Sequence, residues 1–192
     1  MSFIAKTKYL KSLLIVAPSK DTRDYLHGIN FSYFEGNLIM VATDGARLLA
    51  INNGPCEGEF ENFNFTVPRE LLENALKNYN YDVLQINVEG EVITISTPNG
   101  TFSMSKVEGK FPDWRRVIPS GGYEKTASDF NASLIVDFDK VNRLLGGAKD
   151  TYCTVQQNGN DCALVAFRDE NVIGVIMPLC KTVKDIKKPV WA

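Results

Sequence analysis

Lys110-Phe111-Pro112-Asp113-Trp114-Arg115-Arg116-Val117-Ile118-Pro119 is the stretch on which the reading of this chain turns. Taken alone, Phe111-Pro112-Asp113 opens a plain turn, because proline presets φ and aspartate bonds its own backbone. Two distant segments accompany it. Ala42-Thr43-Asp44-Gly45-Ala46-Arg47-Leu48-Leu49-Ala50 reads as two strands joined at an Asp-Gly turn. Val175-Ile176-Met177-Pro178-Leu179 reads as a buried strand.

Working outward, one unit recurs three times: a short strand, a helix, then several strands. The first begins with Phe3-Ile4-Ala5 and a helix near 7–17, with Leu10, Leu13, Leu14 and Ala17 on one face, Thr7 as N-cap and Pro18 as stop. Strands follow at 29–34, 37–42 and 47–52, the first two joined at Glu35-Gly36. The second unit opens with Asn64-Phe65-Thr66-Val67 and enters its helix through Pro68, with Leu71, Leu72, Ala75 and Leu76 inward. Strands at 83–88, 92–96 and 101–106 complete it, separated by turns at Gly90 and Asn99-Gly100. The third opens with Leu134-Ile135-Val136 as a strand, then a helix near 139–145 stopped by Gly146-Gly147, then strands at 152–156, 163–168 and 172–177. The Gly121-Gly122 region is expected to be a linker, and 181–192 a basic tail whose Val190-Trp191 is a possible anchor.

The 192 residues, 44% apolar and 23% charged, fit a globular protein with one large domain or one domain and a fragment. No run approaches the roughly 18 apolar residues of a membrane span, and no signal-peptide core is visible, so a cytoplasmic location is expected, with no membrane partner. Cys56, Cys153, Cys162 and Cys180 form no C-x-x-C pair, and the single histidine, His27, reads as structural. No metal site, cofactor or enzyme signature is expected. Gly146-Gly147-Ala148-Lys149-Asp150 lacks the spacing of a P-loop. The net charge of −2 divides unevenly: four lysines against Asp185 give 181–192 a net +3 and leave −5 on the remainder. An acidic body argues against coating nucleic acid over the whole surface and leaves room for a local basic face.

The three segments, in this order, resemble the signatures of the bacterial DNA polymerase III beta sliding clamp. The resemblance implies an α+β DNA-clamp fold of about one and a half clamp domains. Residues 1–118 resemble the clamp's complete middle domain, 119–130 a linker, 131–180 the latter half of its last domain, and 181–192 a tail beyond the family's usual end. The family's peptide-binding cleft carries over position by position. Leu26 matches the leucine after Arg23-Asp24-Tyr25. Thr43, Gly45, Arg47 and Leu48 match A-T-D-G-x-R-L, while Pro112, Arg116 and Val117 match F-P-D-[YW]-R-R-V. Val175, Ile176, Met177, Pro178 and Leu179 match the near-terminal V-V-M-P-M segment. Leu26, Leu48, Val117, Ile176, Met177 and Leu179 would form an apolar trough, with Arg47 and Arg116 at its rim. Ala46 stands where the family usually has histidine, and Cys180 where a basic residue often follows.

The resemblance further implies a DNA-replication processivity factor that binds motifs of a polymerase and other clamp users. It would encircle double-stranded DNA without sequence specificity, as a homo-oligomer opened by a possible clamp loader. A family ring holds twelve half-domains, so four chains of three halves would match it. Lys8, Lys11, Arg69, Lys77, Lys140 and Arg143 are the candidates for helix residues facing DNA. The alternative is an open homologue that keeps the cleft without encircling DNA and serves as adaptor or decoy.

Overall fold

The computed structural model describes residues 1–56, 62–119, 128–146 and 153–179. Strand β1 (Ser2–Lys6) runs without a break into helix α1 (Thr7–Val16). β2 (Gly28–Phe34), β3 (Asn37–Thr43) and β4 (Arg47–Pro55) follow, the first hairpin turning on Glu35 and Gly36, both at positive φ. The second unit is β5 (Asn64–Pro68), α2 (Arg69–Leu76), β6 (Val83–Glu89), β7 (Val92–Thr97) and β8 (Gly100–Ser105). The third is α3 (Ala132–Leu144), β9 (Thr154–Gln156), β10 (Ala163–Ala166) and β11 (Val172–Ile176).

The first two units exchange their opening strands. β1 completes the four-stranded sheet β1-β6-β7-β8, while β5 sits beside β2 at one end of a seven-stranded sheet, β5-β2-β3-β4-β11-β10-β9. Every pairing is antiparallel, and the β4–β11 ladder (Ile51 opposite Val172, Leu49 opposite Gly174, Arg47 opposite Ile176) joins the third unit to the first. All three helices bury an apolar stripe in one continuous core: Leu10, Leu13 and Val16 from α1, Leu71, Leu72 and Ala75 from α2, and Phe138 and Val141 from α3. α1 lies between the other two and packs on both. Gly174 is what lets Phe138 lie against β11, because a Cβ there would come within 3.1 Å of the Phe138 ring and of Val165. A second, smaller core of Leu26, Ile39, Val41, Leu48, Ala50, Phe111 and Val175 fills the other face of the β3–β4–β11 region.

Three local readings are corrected. Leu134-Ile135-Val136 is helical, not a strand: the Asn131 side chain accepts the Ser133 N–H and starts α3 at Ala132. A short aliphatic triplet carries no periodicity that separates the two states, and the spacing to Phe138 and Val141 is helical. Thr7 is not an N-cap. Pairing of β1 with β6 continues to Lys6, which takes the cap position and leaves Thr7 as the first helical residue. Pro68 ends β5 at the cap position, so α2 begins one residue later. Tyr152, Gly147, Cys180, the Gly121-Gly122 stretch and the 181–192 tail lie outside the described residues. Ser128 bonds Gln157 and Gly159, and the Leu179 N–H donates to the Asp129 carbonyl, so this end of the expected linker is tied to the third unit.

Candidate functional site

A mostly apolar cavity of about 160 Å³ opens above the smaller core. One wall is a 3-10 turn, Asp24–Leu26, which carries Tyr25 and Leu26 after Arg23. A second is the β3–β4 turn with Thr43, Gly45, Arg47 and Leu48. The third is the Pro112–Val117 segment, where another 3-10 turn, Trp114–Val117, supplies Trp114 and Val117. Val175 and Met177 at the end of β11 close the far side.

The β3–β4 turn is rigid because its own side chains bond it. The Thr43 hydroxyl donates to the Arg47 carbonyl at 2.7 Å and accepts the Gly45 N–H at 3.1 Å. Asp44 accepts the N–H groups of Ala46 and Arg47, each at 2.9 Å. Gly45 has φ +85°, which favours glycine, and a Cβ there would lie 2.7 Å from Arg23 Nη1. Arg23 spans the gap between walls: it pairs with Asp21 at 2.8 Å and donates to the Asp44 carbonyl at 2.9 Å. Hydrogen bonds from Arg23 hold the Asp21 carboxyl well below the usual range. His27 supports the same loop, its Nε2 accepting the Asp21 N–H at 2.9 Å.

Leu26, Thr43, Gly45, Arg47, Leu48, Pro112, Val117, Val175 and Met177 thus meet around one cavity. Ile176 does not: it is fully buried and points into the main core, because β11 alternates and sends only Val175 and Met177 to the cleft side. Pro178 is buried and Leu179 is exposed, and neither lines the cavity. Arg116 is exposed on the other side of the Val117 turn, at a shallow depression shared with Asp161 and Cys162. Cys162 Sγ lies 2.9 Å from Met177 Sδ, so this depression adjoins the cleft.

Arg47 is at the cavity, but its guanidinium is already engaged. Only 8% exposed, it pairs with Asp44 at 3.1 Å and Asp137 at 2.5 Å and donates to the Ile15 carbonyl at 3.1 Å. Its Nε, Nη1 and Nη2 each donate within the protein, so Arg47 joins β4, α1 and α3 while it lines the cavity. Burial alone would raise Asp137, but hydrogen bonds from Lys140 and Arg47 outweigh it and hold the carboxyl below its ordinary value. Arg23, Tyr25, Asp113 and Trp114 complete the lining and were missed as wall residues. Their signal was adjacency, since each sits inside a stretch already singled out. Arg115 stacks between the Trp114 ring at 4.4 Å and the Phe34 ring at 4.7 Å, which braces this wall.

The helix cations are less free than their count suggests. Lys8 pairs with Asp169, Arg69 with Glu73, Lys140 with Asp137 and Arg143 with Asp139. Arg69 also donates to the carbonyls of Leu14 and Ala17, so it closes the C-terminus of α1. Lys11 donates to the Tyr79 carbonyl at 3.1 Å, and Lys77 is exposed. Burial pushes up the thiols of Cys56, Cys153 and Cys162. Among the described residues no group of His, Cys, Asp and Glu is arranged to hold a metal, and no helix is long and apolar enough to cross a membrane.

The sequence model of the DNA polymerase III beta subunit, central domain, matches residues 6–113. A beta sliding clamp of Haemophilus influenzae is 35% identical over 104 residues, which are 53% of this chain and 28% of that protein. Among solved structures, DNA polymerase III subunit beta from Borrelia burgdorferi aligns over 95% of this chain and 63% of its own, with a TM-score of 0.76 at 16% identity. The Helicobacter pylori beta clamp bound to a DNA ligase peptide aligns over 93% and 65%, with a TM-score of 0.71 at 14% identity. The chain therefore spans less than two thirds of the length of these relatives. Its fold is the α+β clamp fold, in about one and a half domains. More than half of its length matches the central-domain model, and the chain belongs to the DNA polymerase III beta subunit family.

Proposed function

We propose that this chain is a sliding-clamp subunit of DNA replication, which tethers a polymerase and other clamp users to duplex DNA by capturing short peptides in the apolar cleft. The observation that carries this reading is the convergence of four separate segments on one cavity lined by Leu26, Leu48, Val117, Val175 and Met177. Two or three apolar anchors, at about 1.5–3 kcal/mol each before the costs of association, correspond to micromolar capture. The bound ligase peptide of the Helicobacter pylori clamp is the kind of occupant this cleft would take. In this reading 1–118 is a complete clamp domain and 131–180 a half domain that supplies the far wall. The chain acts in the cytoplasm by holding its partners, not by catalysis.

The half domain bears on assembly. Among the described residues its outer strand β9 pairs on one side only, with β10, and no opening strand precedes α3. A homo-oligomer would cover that edge, and four chains would supply the twelve halves of a closed ring around DNA, loaded with or without a clamp loader. A second reading, an open adaptor or decoy, is favoured by the carboxylates that neutralise Lys8, Arg69, Lys140 and Arg143 on the helix layer.

A fluorescent clamp-binding peptide should bind with micromolar affinity and lose at least tenfold in Leu48→Asp and Met177→Asp. Unchanged binding in both variants would remove the cleft from the function. Retention of the protein on closed circular DNA, with release on linearisation, separates the ring from the open module. A protein that binds the peptide yet never stays on the circle is the adaptor.

A further inference from the structure

The chain has one histidine, and it follows directly on the 3-10 turn that brings Tyr25 and Leu26 to the cleft. The backbone of His27 is pinned from both sides. Its N–H donates to the Asp24 carbonyl at 2.9 Å, and its carbonyl accepts the Arg69 N–H at 3.0 Å at the start of α2. At the next residue a Cβ would fall 2.1 Å from the Val67 carbonyl oxygen, so Gly28 lies tight against β5. The imidazole therefore projects from a fixed post, and the loop before the turn hangs on it. The Asp21 N–H donates to Nε2 at 2.9 Å, and the Asp21 carboxylate accepts both the Arg23 N–H and the Arg23 guanidinium. Arg23 in turn donates to the Asp44 carbonyl on the facing wall.

The bond to Asp21 fixes the protonation state that the loop requires. An imidazole nitrogen accepts an N–H only while it carries no proton, so Nε2 is bare and Nδ1 holds the hydrogen. A proton added at Nε2 would face the Asp21 N–H across 2.9 Å, donor against donor. The cation has another place to turn. Nδ1 lies 3.9 Å from the Asp24 carboxylate, and the ring is 34% exposed beside a groove of about 530 Å³ that Glu70 and Glu73 also line. The charged groups around the ring are Asp21 and Arg23 from the loop, Asp24 from its own turn, and Arg69, Glu70 and Glu73 from α2. Met104, Ser105 and Val107, at the end of β8, bring no charge to the groove. Arg23 is paired with Asp21 and Arg69 with Glu73, which leaves Asp24 and Glu70 to receive an imidazolium.

We propose that His27 is a positioning residue of the cleft: its neutral ring holds the 21–26 wall in place, and its protonation releases that wall, so that peptide capture weakens in acid. Histidine is the side chain whose ordinary charge change falls between about pH 5 and 8. The bond to Asp21 is present on the alkaline side of that change and lost on the acid side. The consequence for capture rests on the peptide reading given above, whereas the release of the wall rests on the loop geometry alone.

The test pairs two measurements on the full chain between about pH 8 and pH 5. NMR follows the His27 ring nitrogens with the Asp21 and Arg23 amides, and fluorescence anisotropy follows a clamp-binding peptide that contains no histidine. The Asp21 amide should move with the His27 titration, and the dissociation constant should rise about fivefold toward acid, the loss of one neutral hydrogen bond. His27→Gln offers a carbonyl oxygen that accepts the same N–H without titrating. It should bind like the parent at the alkaline end and keep that affinity throughout. His27→Leu should bind about fivefold more weakly at every pH. A histidine that only fills space would leave the two variants alike. An Asp21 amide indifferent to the His27 titration, or one pH profile shared by the parent and His27→Gln, would overturn the inference. If neither the parent nor His27→Gln captures peptide at the alkaline end, the peptide reading falls. The joint titration of His27 and Asp21 then upholds or overturns the positioning role by itself.

Discussion

Replacing Arg47 by methionine should cost this protein about 2–3 kcal/mol, more than most substitutions at a ligand-facing residue. Arg47 is 8% exposed, and its guanidinium meets Asp44, Asp137 and the Ile15 carbonyl. Removing one partner of a buried ion pair typically costs about 3–5 kcal/mol, because the remaining charge is left without compensation. The figure here is lower, since the Asp137 side chain is 21% exposed and keeps Lys140 at 2.6 Å. Methionine preserves most of the volume, so the loss reports electrostatics and hydrogen bonding more than a cavity. Urea unfolding of the parent, Arg47→Met, Asp137→Asn and the double variant gives the coupling, expected to be at least about 1 kcal/mol. Hydrogen exchange should rise first along β11 and α3, which Arg47 holds to β4 and α1. A loss below about 0.5 kcal/mol, with unchanged exchange in β11, would refute the assignment and return Arg47 to the rim of the cleft.

The remaining expectations follow from the same geometry. Gly45→Ala places a Cβ at φ +85° and 2.7 Å from Arg23 Nη1, so it should lower stability by about 1–2 kcal/mol and weaken peptide capture together; an unchanged melting curve would undo the argument. Asp137 and Asp169 are both held below the ordinary carboxyl value, by bonds that outweigh burial. Their stabilisation is therefore complete above about pH 4 and is lost as pH falls through the lower folded values, and Asp137→Asn should flatten this acid limb in urea midpoints. Tyr9, pushed up to about 12 by burial and by its 3.0 Å bond to Asp169, stays neutral when the unfolded chain ionises near pH 10. Stability should fall between those values, and Tyr9→Phe should remove that alkaline decline while costing about 1 kcal/mol at neutral pH.

Elements with a local signature were legible in the sequence. The strands of the first two units alternate or form apolar runs between Gly and Asn turns, and α1 and α2 carry apolar residues at helical spacing, so their boundaries fall within a few residues of the structure. The third unit's opening was misread because Leu134-Ile135-Val136 is too short to show a period, while the deciding signal, the Asn131 cap, was not weighed. Ile176 was placed in the trough because it lies in a matched segment, but strand alternation turns every second residue of such a segment away. Arg47 lies at the cavity as expected, but its buried ion pairs were not legible. Its partner Asp137 is 90 positions away, and no local pattern announces a pairing created only when β11 docks beside β4. Tyr25 and Trp114 were in view, yet an aromatic in a turn packs inward as readily as it lines a site.

That docking explains why the cleft and the third unit have to be considered together. The β3–β4 turn supplies Thr43, Gly45 and Leu48, and Val175 and Met177 come from β11, so the cavity is a property of the β4–β11 seam and not of either unit. The smaller core beneath it is shared in the same way, with Leu48 and Ala50 on one side and Val175 on the other. Opening the seam would expose that core, strip the far wall and break the Arg47–Asp137 pair in one step. By linkage, an occupant that binds only the closed seam stabilises it by RT ln(1 + [L]/Kd), about 2.7 kcal/mol at a hundredfold excess over Kd. This is close to the 2–3 kcal/mol assigned to Arg47, so saturating peptide should restore most of the β11 protection that Arg47→Met removes. An arginine free to hold a ligand at the rim would leave the seam unlocked in the absence of that ligand, and Arg47 is buried in the seam instead.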